Sequence, residues 1–149
     1  MTRLAKTARR CFPSLLTPRH SLLTLADALR RYFEMTSSIN DLEEAILLYR
    51  ESLFFSPVPH PNRFESLNGL AIALGYHRFR QSGSMTDLEE AISLLREALS
   101  LDPDTSPPDR LSAFNNLAVF LETRFKENGN QSDLKEAFSL RQEILAMSR

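Results

Sequence analysis

Tryptophan is absent from these 149 residues, glycine occurs only four times and cysteine once. So little glycine argues against hairpin-rich all-β folds and against loops that cradle phosphate, both of which need residues free to take positive φ. With Cys11 alone, no internal disulfide can form, and a reducing compartment, the cytoplasm by default, is the expected setting. No apolar run approaches the ~20 residues that cross a bilayer, so no membrane partner is expected. Neither a P-loop nor GxGxxG occurs, and the histidines His20, His60 and His77 form no HExxH pair and have no cysteine partner for a zinc site. Cys11 has no base close to it in sequence. The chain therefore reads as non-enzymatic and without a cofactor, and it names no substrate.

What is present is an ordinary soluble composition, 42% hydrophobic and 25% charged, in a length that supports one modest core. The charge is uneven. Residues 1–20 carry Arg3, Lys6, Arg9, Arg10 and Arg19 with no acid, while the remainder has thirteen bases against nineteen acids. A net acidic body lacks the basic face that phosphate binding requires, so nucleic acid is not an expected partner. The basic segment 1–16 reads either as a degenerate first helix or as a mitochondrial targeting peptide, although Pro13 and Pro18 interrupt any long amphipathic helix there. An apolar core of the secretory-signal kind is missing.

Self-similarity organises the rest. Asp41-Leu42-Glu43-Glu44-Ala45-Ile46 recurs as Asp87-Leu88-Glu89-Glu90-Ala91-Ile92 and again as Asp133-Leu134-Lys135-Glu136-Ala137-Phe138, each time after 46 residues. Phe33, Phe79 and Phe125 each stand eight residues before those aspartates. Farther upstream lie Leu22-x-x-Leu25-Ala26-x-x-Leu29, Leu67-x-x-Leu70-Ala71-x-x-Leu74 and Phe114-x-x-Leu117-Ala118-x-x-Leu121, with one extra residue before Phe79 in the middle copy. Two blocks in phase define three units, about 17–57, 58–103 and 104–149.

Both blocks carry apolar residues at i, i+3, i+4 and i+7, one stripe of a helix. Asn40 with Glu43 and Thr86 with Glu89 have capping-box spacing. Gly83 and Gly129 fall just past a helix end, where a left-handed residue is easiest for Gly. Pro57-Val58-Pro59 and Pro103 close the second helices. The pattern predicts six helices over about 19–36, 39–55, 62–82, 86–101, 108–128 and 132–147. The paired acids Glu43-Glu44 and Glu89-Glu90, with Glu136, read as complements of the helix dipole. Ala26, Ala45, Ala71, Ala91, Ala118 and Ala137 are expected at close helix crossings, and the three phenylalanines in the wider gap near each turn. A lone hairpin leaves apolar surface bare, which stacking of neighbouring units covers.

These residues resemble the tetratricopeptide repeat. Ala91-x-x-x-Leu95-x-x-Ala98 followed by Pro103 is similar to the second helix of that family, and Ala45, Tyr49, Ser52 and Pro57 keep the same offsets. Leu70-Ala71-x-x-Leu74 is similar to its first helix. The family's unit runs about 34 residues, and the longer period here looks like a fungal variant with His-Pro-Asp-Arg, Leu-Asn-Asn-Leu-Ala and Arg-Phe signatures. His60-Pro61-Asn62-Arg63, Asn115-Asn116-Leu117-Ala118 and Arg78-Phe79 correspond to these. Such arrays accompany CHAT or nucleotide-binding signalling domains, and this chain reads as the array alone. In the third unit Arg141 replaces the aromatic residue, either as part of a polar terminal face with Gln142 or by drift.

The resemblance implies an all-α solenoid of three helix–turn–helix units in a right-handed superhelix, with a peptide or protein held in its concave groove. The candidate peptide-binding residues are Arg63, Asn68, Arg78, Arg110, Asn115, Asn116 and Arg124. An Asn amide both donates and accepts, so it can grip an extended backbone, while Arg can pair with carboxylates. Alternative roles are end-to-end stacking with itself or with a longer homologous array, and regulation of a CHAT-type protease in trans. The bland alternative is that the asparagines bond helix to helix and the arginines are solvated.

Overall fold

The computed structural model describes residues 18–56, 62–101 and 107–148. The basic segment 1–16, Cys11, His60 and the prolines Pro57, Pro59, Pro61 and Pro103 lie outside the described residues. Helix α1 covers Pro18–Thr36, α2 Ile39–Phe54 and α3 Arg63–Ile72. A π-helical stretch comes next at Ala73–Arg78, and then α4 (Phe79–Ser82), α5 (Met85–Ser100), α6 (Pro107–Asn128) and α7 (Gln131–Met147). No strand occurs among the described residues. The fold is all-α and repetitive, as the two in-phase blocks imply.

The predicted helices form within one or two residues of their expected limits, except that the third is not one α-helix. Seven residues separate Ala26 from Phe33 and Ala118 from Phe125, but eight separate Ala71 from Phe79. The π turn at Ala73–Arg78 absorbs the extra residue. Widening one turn from i→i+4 to i→i+5 bonding takes up a single insertion without rotating Phe79 and its successors.

Two compact units divide between Ala73 and Leu74. In the first, α1 packs along α2, and α2 along α3. Leu22, Ala26, Leu29, Phe33, Leu42, Ala45, Ile46, Leu48 and Tyr49 form its core with Leu67, Leu70 and Ala71. In the second, α6 packs against both α5 and α7. Leu88, Ala91, Ile92, Leu95, Ala98, Ala113, Leu117, Ala118, Phe120 and Leu121 are buried there with Ala137 and Leu140. All six alanines expected at crossings are buried. Phe33 is buried too, whereas Phe79 and Phe125 are half-buried.

The turns repeat as closely as the helices. Gly83 and Gly129 take φ of 67° and 72°, and each donates its N–H to the carbonyl of the Phe four residues earlier at 2.7 Å. Ser37, with φ 59°, does the same to Phe33. The residue before it then accepts, through its side-chain oxygen, the N–H of the next helix's cap: Thr36 from Ser38, Ser82 from Ser84, and Asn128 from Asn130. The caps correct the capping-box expectation. Helices α2 and α5 begin after Ser38 and Ser84, so Asn40 and Thr86 lie inside them. The three aspartates, not the paired glutamates, occupy the first turns. The caps sit two residues earlier because the left-handed turn residue and the side-chain bond from the residue before it fix the entry.

Candidate functional site

Two aspartates of the repeated block turn back toward the helix before them. Arg124 Nε and Nη2 donate to Asp133 Oδ2 and Oδ1, both at 2.7 Å. Arg78 holds Asp87 in the same fork at 3.1 and 2.8 Å. Both aspartates are buried. The hydrogen bonds from Arg124 hold the Asp133 carboxyl below the usual carboxylate range, with burial opposing them. Tyr32 stands at the corresponding position of the first hairpin, and its ring is exposed. The Arg-Phe pairs thus tie a hairpin at its turn.

A second set of polar contacts joins the middles of the helices. In the first unit, Tyr49 on α2 donates its hydroxyl to Asp27 Oδ1 and accepts from Arg30 Nε at 3.0 Å, both on α1. Burial pushes the Tyr49 phenol well above its ordinary value. Arg30 also reaches Glu34 at 3.0 Å. In the second unit, Arg141 on α7 donates Nε to Glu122 Oε1 at 3.0 Å and Nη1 to Asn115 Oδ1 at 3.4 Å, both on α6. Tyr76 packs edge-on to buried Phe120 with ring centroids 4.9 Å apart, and the Arg80 guanidinium lies 5.9 Å from the Tyr76 ring centroid. Burial raises the Tyr76 phenol; the charges of Arg80 and Arg141 oppose this and that of Glu122 adds to it.

Asn115, Glu122 and Arg141 are half-buried, as is Tyr76. Together with exposed Arg80 they place an aromatic face, an amide, a carboxylate and two guanidiniums in one unit. Such a set can bond an extended backbone and discriminate charge, with no nucleophile–base pair among its contacts. No group of three or more His, Cys, Asp or Glu among the described residues could hold a metal ion. No described helix is long and apolar enough to cross a membrane.

The sequence-derived candidates are distributed differently. Asn115 belongs to this patch. Asn68, on α3, and Asn116, on α6, are half-buried. Arg78 and Arg124 are the turn forks. Arg63 donates Nη1 to the Leu53 and Ser56 carbonyls at 3.5 and 3.2 Å, so it secures the end of α2. Arg110 lies over the Phe114 ring at 5.6 Å. Missing from those candidates are Tyr76, Glu122 and Arg141, yet a signal exists. Tyr49, Leu95 and Arg141 share one register of the second helix, four residues after the repeated Ala. Arg30, Gly75 and Glu122 share one register of the first. Both registers are polar in copies one and three and apolar in copy two.

The class the geometry defines is a helical-repeat protein built of hairpins. Residues 64–107 match the family model described as tetratricopeptide repeat, covering α3, the π stretch, α4 and α5. That match takes in less than a third of the chain and supports a tetratricopeptide-like repeat protein, a family of protein–protein interaction scaffolds. No curated protein and no solved structure matches the chain.

Proposed function

We propose that the chain is a non-enzymatic interaction scaffold that holds a peptide or protein segment against the half-exposed faces of its first helices. The Asn115–Arg141–Glu122 trio beside Tyr76 carries this reading. Arg141 stands where the repeat otherwise places a buried Tyr or Leu, yet it extends to polar groups of α6 instead of to solvent alone. A ligand backbone can replace the long 3.4 Å bond to Asn115 with shorter bonds of its own, and a ligand carboxylate can share the Arg141 fork. Asn68 offers the same amide chemistry from α3 in the first unit.

The test is affinity purification from native extract with the wild-type chain and with an Asn115→Ala/Arg141→Ala double variant, their helicity checked by circular dichroism. The expected result is a stable partner captured by the wild type and reduced at least about tenfold with the double variant, a loss typical of central contacts. An identical partner set in identical amounts would overturn the assignment. Asn68→Ala, run separately, reports whether the first unit takes part.

A further inference from the structure

The second helices of the three hairpins present the same register positions, but not the same exposure. Leu42 and Ile46 on α2 and Leu88 and Ile92 on α5 are 0–2% exposed. Their counterparts on α7, Leu134 and Phe138, are 42% and 66% exposed, and Leu145 farther along is 63% exposed. Within the first unit α2 is covered by the next first helix, α3, and within the second α5 is covered by α6. Helix α7 carries the same apolar seam with no first helix on it among the described residues.

Contacts between α2 and α3 give the register of that seam. A Cβ on Gly69 would meet the Tyr49 ring, at 2.7 Å from Cζ, and Ser52 Oγ lies 2.8 Å from Ser66 Oγ. The two helices therefore run antiparallel, each step forward on one matched by a step back on the other. Transferred by the repeat to α7 and a helix of the α1 kind, that register sets Arg141 opposite Thr24, Phe138 opposite the Asp27–Ala28 step, and Leu134 opposite Arg31. Helix α1 is the first helix that no second helix precedes among the described residues. Its Thr24 and Ala28 are exposed, whereas Gly69 and Ala73, and Phe120 in the third copy, are buried at the matching positions. A small residue at 28 leaves room for the Phe138 ring, as Gly69 does for Tyr49.

We infer that α7 docks the α1 helix of a second copy of this chain, continuing between molecules the seam that α2 makes with α3. This contact joins two different faces and is heterologous, so a bound pair still presents one free face of each kind. It uses neither Asn115 nor the Tyr76 patch and stands apart from peptide capture.

The experiment is sedimentation velocity of the full chain over roughly 5–200 µM, the range of micromolar contacts. Compared are the wild type, Phe138→Glu, Ala28→Glu, and an equimolar mixture of the two variants. The wild type should gain mass with concentration, and each variant alone should stay monomeric. The mixture should form a one-to-one dimer and stop there, because one intact face remains on each partner. That rescue also shows both variants are folded. A monomeric wild type throughout would overturn the inference. So would association that survives Ala28→Glu, or failure of the mixture to pair, which are the marks of a symmetric Phe138–Phe138 contact.

Discussion

Arg124 and Asp133 meet across the third turn in a two-bond fork of 2.7 Å on each arm, with the aspartate side chain 3% exposed and the arginine 19%. Replacing the carboxylate by Asp133→Asn removes the charge from a buried site and should cost about 1–3 kcal/mol in denaturant unfolding at pH 7. The folded-state pKa of Asp133 lies below its ordinary value of 3.8. The contribution of the pair is therefore complete above that value and is lost as pH falls through the lower, folded one. Wild type and variant should converge between about pH 4 and pH 2. Parallel curves over that range would show that the fork contributes nothing.

Gly75 illustrates a glycine kept for space. A Cβ there would stand 2.5–2.8 Å from three carbons of the buried Phe120 ring. Alanine is the better helix former by about 1 kcal/mol, but overpacking against a ring in a filled core costs about 1–3 kcal/mol. Gly75→Ala is expected to lower the melting temperature by several degrees. Adding Phe120→Leu should make the Gly75→Ala step less costly than it is in the wild type; equal penalties in the two backgrounds would place the strain elsewhere.

The π turn should tolerate loss of the residue it accommodates. Deleting His77 restores the seven-residue spacing to Phe79 found in the other two copies, and cooperative unfolding should persist with a change within about 1 kcal/mol. Deleting Ala28 from α1, which has no such slack, rotates Leu29 and Phe33 by about 100° away from the core. That variant should lose its cooperative transition. Comparable thermal melts for both deletions would refute the insertion account.

Tyr49 joins α2 to α1 through its hydroxyl. Tyr49→Phe should cost about 1 kcal/mol, since water can reach the half-exposed Asp27 left behind. Burial raises the folded-state phenol above its ordinary value of 10.0, so this group's contribution is complete below that value and is lost as pH rises through the folded one. Urea midpoints should therefore fall more steeply above about pH 10 for the wild type than for Tyr49→Phe. Superimposable alkaline limbs would remove Tyr49 from the explanation.

The amino-acid order alone determined the 46-residue period, the helices, the buried alanines and the left-handed glycines. Those features arise from local chemistry: apolar spacing, the missing Cβ, and the inability of proline to extend a hydrogen-bond ladder. Even the odd residue before Phe79 was visible, though not the π turn that absorbs it. Ser37 shows the limit of residue type, since it takes the same left-handed turn without being glycine, held by its N–H bond to Phe33.

Only the tertiary structure decided which charged groups are spent. Arg78, Arg124 and Asn115 look alike in sequence as ligands, yet two of them fork buried aspartates nine residues onward and the third meets Arg141. Likewise Ile46, Ile92 and Phe138 occupy one register, and no sequence rule says that the last is bare. Burial and pairing depend on which helix arrives opposite, and that is a property of neighbours brought together by folding.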